Sequence, residues 1–360
     1  MPKKLIERPL LPMLRSFINQ IKKGKHLQKN GNRIKKSSIH NYVTLEKILT
    51  RFSLKYDFYL RIKIKSSFTT SQFESEKKYW KDFYIAFTSY LFEDLNHHDN
   101  HAGRLIKLLR CFFNYLINEK GYDIGFFHRK FYVKLEDIDI VVLTPERLNH
   151  LVYNKQIEKQ LTEDLIKAKD VFVVGCMVAL RYSDLMALKK TNLEVINNRM
   201  YLKVQSIKTQ TYSRVKLPEF AIEIVKKYAK LYTNRILPEI KMNMLNKNLK
   251  KLMEIYGFTE FIERNRQRRG IPEPIYLDPV NKIKYRFCDA VSSHTMRRSA
   301  ITIMLSLGMN EQMVRQISGH APNSKEFYRY VAFAQNYIDN EIDRVHKKLD
   351  KKKLELTIKM

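Results

Sequence analysis

Four stretches in the second half of this 360-residue sequence carry side chains whose types and spacing suit chemistry on an anion. Arg181 stands in ALRYSDLMAL, between two apolar helical stretches, and Lys208 lies in SIKTQTYSRVKLP, at the tip of an expected hairpin. His294 and Arg297 sit at i and i+3 in SSHTMRRSAITIMLSLG. His320 follows Gly319 in SGHAPNSKEFYRYV, with Tyr328 and Tyr330 a few residues behind. One lysine, two arginines and two histidines do not make a hydrolytic triad, and no carboxylate cluster stands with them to hold a divalent metal. They do suit a phosphate. Two guanidiniums offer forked, charge-assisted hydrogen bonds to its non-bridging oxygens. Histidines donate or transfer protons near neutral pH, and a tyrosine supplies a nucleophile that can hold a phosphoryl group covalently. Each piece also has a plainer reading: Asp184, three residues after Arg181, could neutralise it structurally, and a hairpin lysine is usually just solvated.

The elements that must position these residues are mostly helical. Gly and Pro number only ten each, and apolar residues recur at helical spacing, as in PLLPMLRSFINQIKK and in Leu105, Leu108, Leu109, Phe112, Phe113 and Leu116. Ser292 or Ser293 can cap the helix that carries His294 and Arg297, placing both near an N-terminal turn that favours anions. Thr144 and Pro145 make a clean helix start. The clearest β signal is NLEVINNRMYLKVQSIKTQTYSRVKLP, where Asn197-Asn198 separates two alternating runs and a third follows Lys208-Thr209. The expected fold class is mainly α, with an α+β second domain containing a small antiparallel sheet. The extended FYVKLEDIDIVVL segment marks a junction near Glu136 to Val142. This divides the chain into a helical domain over 1–140, a second domain over 141–335 and a charged helix or tail over 336–360.

Charge narrows the partner. Sixty-seven Lys and Arg against thirty-seven Asp and Glu leave +30, a surplus that calls for a polyanion, most commonly nucleic acid. With 44% hydrophobic residues the chain also buries a real core. The loop KKGKHLQKNGNRIKK has no acidic residue, and its Lys22, Lys23, Lys25, Lys29, Arg33, Lys35 and Lys36 are the expected phosphate contacts. Cys111, Cys176 and Cys288 show no Cys-x-x-Cys spacing and read as buried free thiols, with no zinc site or disulfide framework. No signal peptide or ~20-residue apolar span is seen, so a cytoplasmic protein without a membrane is expected.

The order Arg, Lys, His-x-x-Arg, Gly-His, Tyr resembles the tyrosine recombinase (phage integrase) family, and in particular integrases of Bacteroidetes-type mobile elements. The resemblance spans residues 144 to 335, and more loosely the helical N-terminal part. It implies a helical core-binding domain followed by a catalytic domain. It further implies site-specific cleavage and rejoining of double-stranded DNA through a 3′-phosphotyrosyl link and a Holliday junction, by four protomers on two duplexes, without cofactor, metal or ATP. Carried over residue by residue, Arg181 and Arg297 clamp the scissile phosphate and His294 transfers or donates a proton. Lys208 is the acid for the leaving 5′-oxygen, and His320 is a second phosphate donor. No separate arm-binding domain is expected before the first helix.

The nucleophile has two candidates. Relatives place it nine residues after the Gly-His histidine, which here is Arg329, with a tyrosine on either side. FYRYV resembles a Phe-x-basic-Tyr-aliphatic pattern and points to Tyr330; an aliphatic-Tyr-x-x-Val alignment selects Tyr328 instead. Two other functions stay open at this point: a non-cleaving DNA-binding regulator on the same scaffold, and a related metal-independent topoisomerase.

Overall fold

The structure is a computed structural model that describes residues 6–334 apart from 29, 65–67, 133 and 206–211, with a few further positions between 339 and 347. The described chain is mainly helical, with short antiparallel strand pairs and one three-stranded sheet. It divides into two compact units, residues 1–138 with 265–275, and residues 139–264 with 276–360.

In the first unit, helices α1 (Leu10–Lys22), α2 (Lys36–Lys55), α3 (Thr70–Ser89) and α4 (Asp99–Asn118) share one core. Of the α1 stripe read as Leu11, Leu14, Phe17, Ile18 and Ile21, the last four are buried, while Leu11 is only partly buried and Leu10 takes the core position of the first turn. Thr69 and Gln72 cap α3 reciprocally. Two strands not read from the sequence, β1 (Ile6–Pro9) and β2 (Arg61–Ile64), pair antiparallel with Ile6 opposite Ile64. Among the cysteines, Cys176 and Cys288 are buried but Cys111 is exposed, which corrects the expectation for that thiol: it occupies an outer position on α4. In the basic loop, Lys22, Lys23, Lys25, Arg33, Lys35 and Lys36 are exposed, and Lys29 lies outside the described residues.

Residues 265–275 pack with this first unit although they come late in the chain. Strands Asn265–Arg268 and Ile271–Pro274 form a hairpin turned by Arg269 and Gly270, both at positive φ (54° and 83°). Two buried carboxylates hold it. Glu136 accepts from Arg266 Nη2 at 2.6 Å and Nε at 2.9 Å, and from the Gln267 amide. Asp99 accepts from the amides of Arg269 and Gly270 at 2.8 and 2.7 Å. Burial alone would raise the Glu136 carboxyl, but Arg266 and the Gln267 amide outweigh it and hold it below the usual carboxylate range. Its contribution is therefore present above the unfolded value and lost as pH falls through the folded one. Glu136→Ala is expected to cost up to about 3 kcal/mol, the low end for a broken buried pair because Arg266 keeps some solvent contact. Amide hydrogen exchange at Gln267 and Gly270 reads the loosening. In the parent protein the same amides should exchange faster, relative to other hairpin-free amides, as pH falls below the glutamate range.

The second unit opens with α5 (Pro145–Tyr153), capped by the Thr144 side chain, and the short α6 (Lys155–Glu158). Helix α7 (Glu163–Val178) follows, then α8 (Tyr182–Met186). The sheet β3 (Leu193–Ile196), β4 (Arg199–Gln205), β5 (Tyr212–Lys216) is antiparallel in sequence order. Its first turn puts Asn197 and Asn198 at φ 49° and 56°, as the hairpin reading required. Helices α9 (Glu219–Leu231), α10 (Met242–Ile255), α11 (Phe287–Ala290), α12 (Ser293–Ser306), α13 (Glu311–Ser318) and α14 (Lys325–Phe333) complete the unit.

Helix α7 is the hub. Val171, Phe172, Val173, Val174 and Cys176 are consecutive or nearly so and all buried, because α5, α9, α10 and α12 pack around it. Gly175 lets α12 approach: a Cβ there would lie 2.6 Å from Met296 Sδ and 3.0 Å from Met296 Cβ. Gly175→Ala is expected to destabilise the unit by roughly 1–3 kcal/mol through overpacking, and to push α12, which carries His294 and Arg297, outward. A lowered melting temperature together with slower turnover would show both effects; an unchanged melting temperature would contradict the close packing.

Candidate active site

Helix α7 ends on Ala179, a left-handed residue (φ 53°) that turns the chain sharply into Leu180 and Arg181. That turn aims the Ala179 carbonyl at α12, where it accepts a 2.7 Å hydrogen bond from Arg297 Nη1. Arg181 itself heads α8, half-buried. Its charge reaches His294, Arg297 and His320 and lowers the proton affinity of all three.

Helix α12 is fixed at its start by a reciprocal Ser292–Thr295 cap and by the Ser293 amide donating 2.7 Å to Asn246 Oδ1. Its inner face buries Met296, Ala300, Ile301 and Ile303, so its first turns carry His294, Arg297 and Arg298 toward one region. The Leu143 amide donates to Ser299 Oγ at 2.8 Å, which ties the segment leading into α5 to the same helix.

Arg297 decides the electrostatics. It is 3% exposed, and among the described residues it makes no ion pair. Its Nη2 lies 3.2 Å from Nε2 and 3.3 Å from Nδ1 of His320. Near-equal distances to both ring nitrogens place the guanidinium over the imidazole face rather than in line with one lone pair. Burial first, then the Arg181 charge, pushes this guanidinium down to about 10. A buried cation in that condition is stabilised by a nearby anion.

His320 follows α13 and its left-handed C-cap Gly319 (φ 63°). Burial, then Arg297 and Arg181, pushes it down to about 3, so the ring is neutral. Arg315 fixes the next turn by donating to the carbonyls of Ala321 (3.1 Å) and Pro322 (2.5 Å) while pairing with Glu311. His294 stands at the solvent edge; partial loss of hydration and the Arg298 charge hold it below the usual imidazole range, while Glu326 pulls the other way.

The two tyrosines part company on α14. Positions two apart on a helix are about 200° apart, so Tyr328 and Tyr330 face opposite ways. Tyr328 is 53% exposed and lies under the Arg315 guanidinium at 4.7 Å. Tyr330 is 1% exposed and meets His320 edge-to-face with ring centres 5.8 Å apart. Burial, then Glu326, raises its phenol above the usual range, while Arg298, within hydrogen-bonding reach, and Arg297 oppose the rise.

Arg181, His294, Arg297, His320 and Tyr330 thus lie in one region of the second unit, while Tyr328 is exposed against Arg315. Lys208 lies outside the described residues, between β4 and β5. Sequence reading passed over Arg298 and Arg315. Arg298 was findable, since it stands four residues after His294 on the same helical face; Arg315 acts through backbone carbonyls and has no sequence signal. Among the described residues no group of three or more His, Cys, Asp or Glu side chains is placed to hold a metal ion, and no helix is long and apolar enough to cross a membrane.

The profile of the phage integrase family matches residues 142–336. No curated protein matches the chain by sequence. Solved structures share its fold. The XerH site-specific recombinase bound to palindromic difH substrate, in a post-cleavage complex, is 14% identical, with 89% of this chain and 91% of that chain covered and a TM-score of 0.58. A λ integrase dimer bound to a COC′ core site is 12% identical, covering 89% and 94%, with a TM-score of 0.57. The Tn1549 transposon integrase in complex with transposon right end DNA is 14% identical, covering 94% and 100%, also with a TM-score of 0.57.

Proposed function

This chain belongs to the phage integrase family, and on that premise we propose that it is a site-specific DNA recombinase that cleaves and rejoins duplex DNA through a 3′-phosphotyrosyl intermediate. The observation that carries the reading is Arg297, a buried guanidinium with no ion pair among the described residues, its Nη2 over the ring of a neutral His320 beside the buried phenol of Tyr330. A backbone phosphate would supply an anion to this guanidinium.

In this reading Arg297 and Arg181 bind the non-bridging oxygens and stabilise the charge that builds on them as phosphorus becomes five-coordinate. The Tyr330 hydroxyl gives its proton to a histidine of the site as its oxygen attacks phosphorus, the bond to the 5′-oxygen breaks, and Lys208 gives that oxygen its proton. The phosphodiester bond energy is kept in the tyrosyl link, so a 5′-hydroxyl from a second duplex reverses the step and joins new partners. Two such exchanges, through a Holliday junction, give recombination by a tetramer on two sites. The exposed Lys22, Lys23, Lys25, Arg33, Lys35 and Lys36, with Lys29, are proposed to contact DNA phosphates from the first unit. A bacterial cytoplasm is the expected compartment.

The test is a pool of duplexes of randomised sequence nicked at a fixed position, so that cleavage releases a short strand and traps the adduct. A recombinase is expected to give a covalent 3′ adduct with a restricted set of sequences, and mass spectrometry should place it on Tyr330. Adducts with nearly every sequence would mean a topoisomerase, and binding without any adduct a regulator.

A further inference from the structure

We infer that Ser318 locks His320 in its Nδ1–H form and leaves Nε2 as a bare proton acceptor inside the cationic pocket, an inference that rests on the recombinase reading above. Ser318 is the last residue of α13 and is 3% exposed. Its Oγ lies 2.7 Å from the Val314 carbonyl oxygen and 2.8 Å from His320 Nδ1. A hydroxyl has one proton. Two oxygens 2.7 Å apart with no proton between them would repel, so the Ser318 hydrogen goes to Val314, the i−4 back-bond common for helical serines. The Oγ lone pair then faces Nδ1, which must bring the proton itself. With Nδ1 protonated and the ring neutral, Nε2 carries a lone pair.

Arg297 supports the assignment. Its Nη2 sits over the ring face, so it neither saturates the Nε2 lone pair nor tolerates a second positive charge there. Ser318 and Arg297 together keep the ring neutral, in one tautomer, with its acceptor nitrogen open.

This changes the part His320 plays. A phosphate-donating role needs a proton on Nε2, and the DNA-free site has none to give. An entering phosphate offsets the Arg297 and Arg181 charges and makes Nε2 more basic. The Tyr330 ring is in edge contact with the imidazole. As the Tyr330 O–H bond breaks, Nε2 takes the proton and the electron pair stays on the phenol oxygen, which forms the bond to phosphorus; the P–O5′ bond breaks and Lys208 protonates the leaving oxygen. The new Nε2–H can then donate to the phosphate. Ser318 touches no reacting atom and is a positioning residue.

Nitrogen-15 detection of the histidine side chains in the DNA-free chain, with His320 assigned through His320→Gln, reads the tautomer directly. The parent is expected to show a protonated Nδ1 and an unprotonated Nε2. Ser318→Ala is expected to shift the ring toward Nε2–H, to slow cleavage of the trapped duplexes by roughly tenfold or more, and to leave their binding unchanged. Ser318→Thr, which keeps the hydroxyl, is expected to restore the tautomer and most of the rate. An Nε2–H ring in the parent overturns the inference, and so does a Ser318→Ala protein that cleaves at the parental rate. Tyr330→Phe run alongside separates the two claims: an adduct that survives it removes the assigned nucleophile from the recombinase reading, while the tautomer signal still judges Ser318.

Discussion

Tyr330→Phe is expected to bring the covalent DNA adduct to the limit of detection while leaving the fold and DNA binding in place. The ring fills a small core made by Ile140, Val142, Ala179, Ala300, Ile301, Leu305, Val314 and Phe327, and phenylalanine keeps that contact. Only the hydroxyl is lost, with its contact to Arg298, a change of about 1 kcal/mol or less in stability. Tyr328→Phe is expected to cleave within a few-fold of the parent, since Tyr328 is exposed and its aromatic face under Arg315 is retained. Denaturing gels of the trapped duplex pool report both variants. The opposite pattern, with Tyr328→Phe inert and Tyr330→Phe active, would reverse the assignment and require α14 to rotate by about half a turn when DNA binds.

Arg297→Met should separate stability from activity. Losing the preorganised donors is expected to slow cleavage by about 10²–10³-fold or more. In a protein held together by ordinary ion pairs, deleting a buried arginine would also be strongly destabilising. Here burial and Arg181 depress the guanidinium to about 10, so its charge opposes folding at every pH below that value and the opposition fades only as pH rises through it. Methionine fills similar volume without charge. The loss of the hydrogen bond to the Ala179 carbonyl works the other way. The melting temperature of the DNA-free protein is therefore expected to stay within a few degrees of the parent, or to rise, unlike that of Glu136→Ala. Thermal unfolding beside the cleavage rate checks this. A collapse in melting temperature would make Arg297 a structural residue, and unchanged cleavage would remove it from the phosphate site.

Much of the fold was legible because it is set by local patterns. Buried stripes on α1 and α4, the Thr144–Pro145 start of α5 and the Asn197-Asn198 turn each follow from neighbours a few residues apart. The β1–β2 pair was not legible, since IERP and RIKI are too short and too charged to show alternation; they pair because α1 and α3 bring them together, with Arg61 neutralised by Glu76 at 2.5 Å. The 265–275 hairpin was missed for a related reason. Its partners lie more than a hundred residues away: Glu136 receives the Arg266 guanidinium, and Asp99 accepts from the turn amides of Arg269 and Gly270.

For the site, the sequence by itself determined the set of groups: two arginines, two histidines, a lysine and a choice of phenols in a chain of charge +30. Those are properties of composition and order, and they point to a phosphate whatever the fold. Only the tertiary structure told the two phenols apart, because spacing to His320 is equivocal at Arg329 while helix phase buries Tyr330 and exposes Tyr328; that difference supports the proposal of Tyr330 as nucleophile. The tertiary structure also decided the charge states. The proton affinities of Arg297 and His320 depend on burial and on cations brought in from α8 and α12, and no local pattern encodes the field made by residues more than a hundred positions apart.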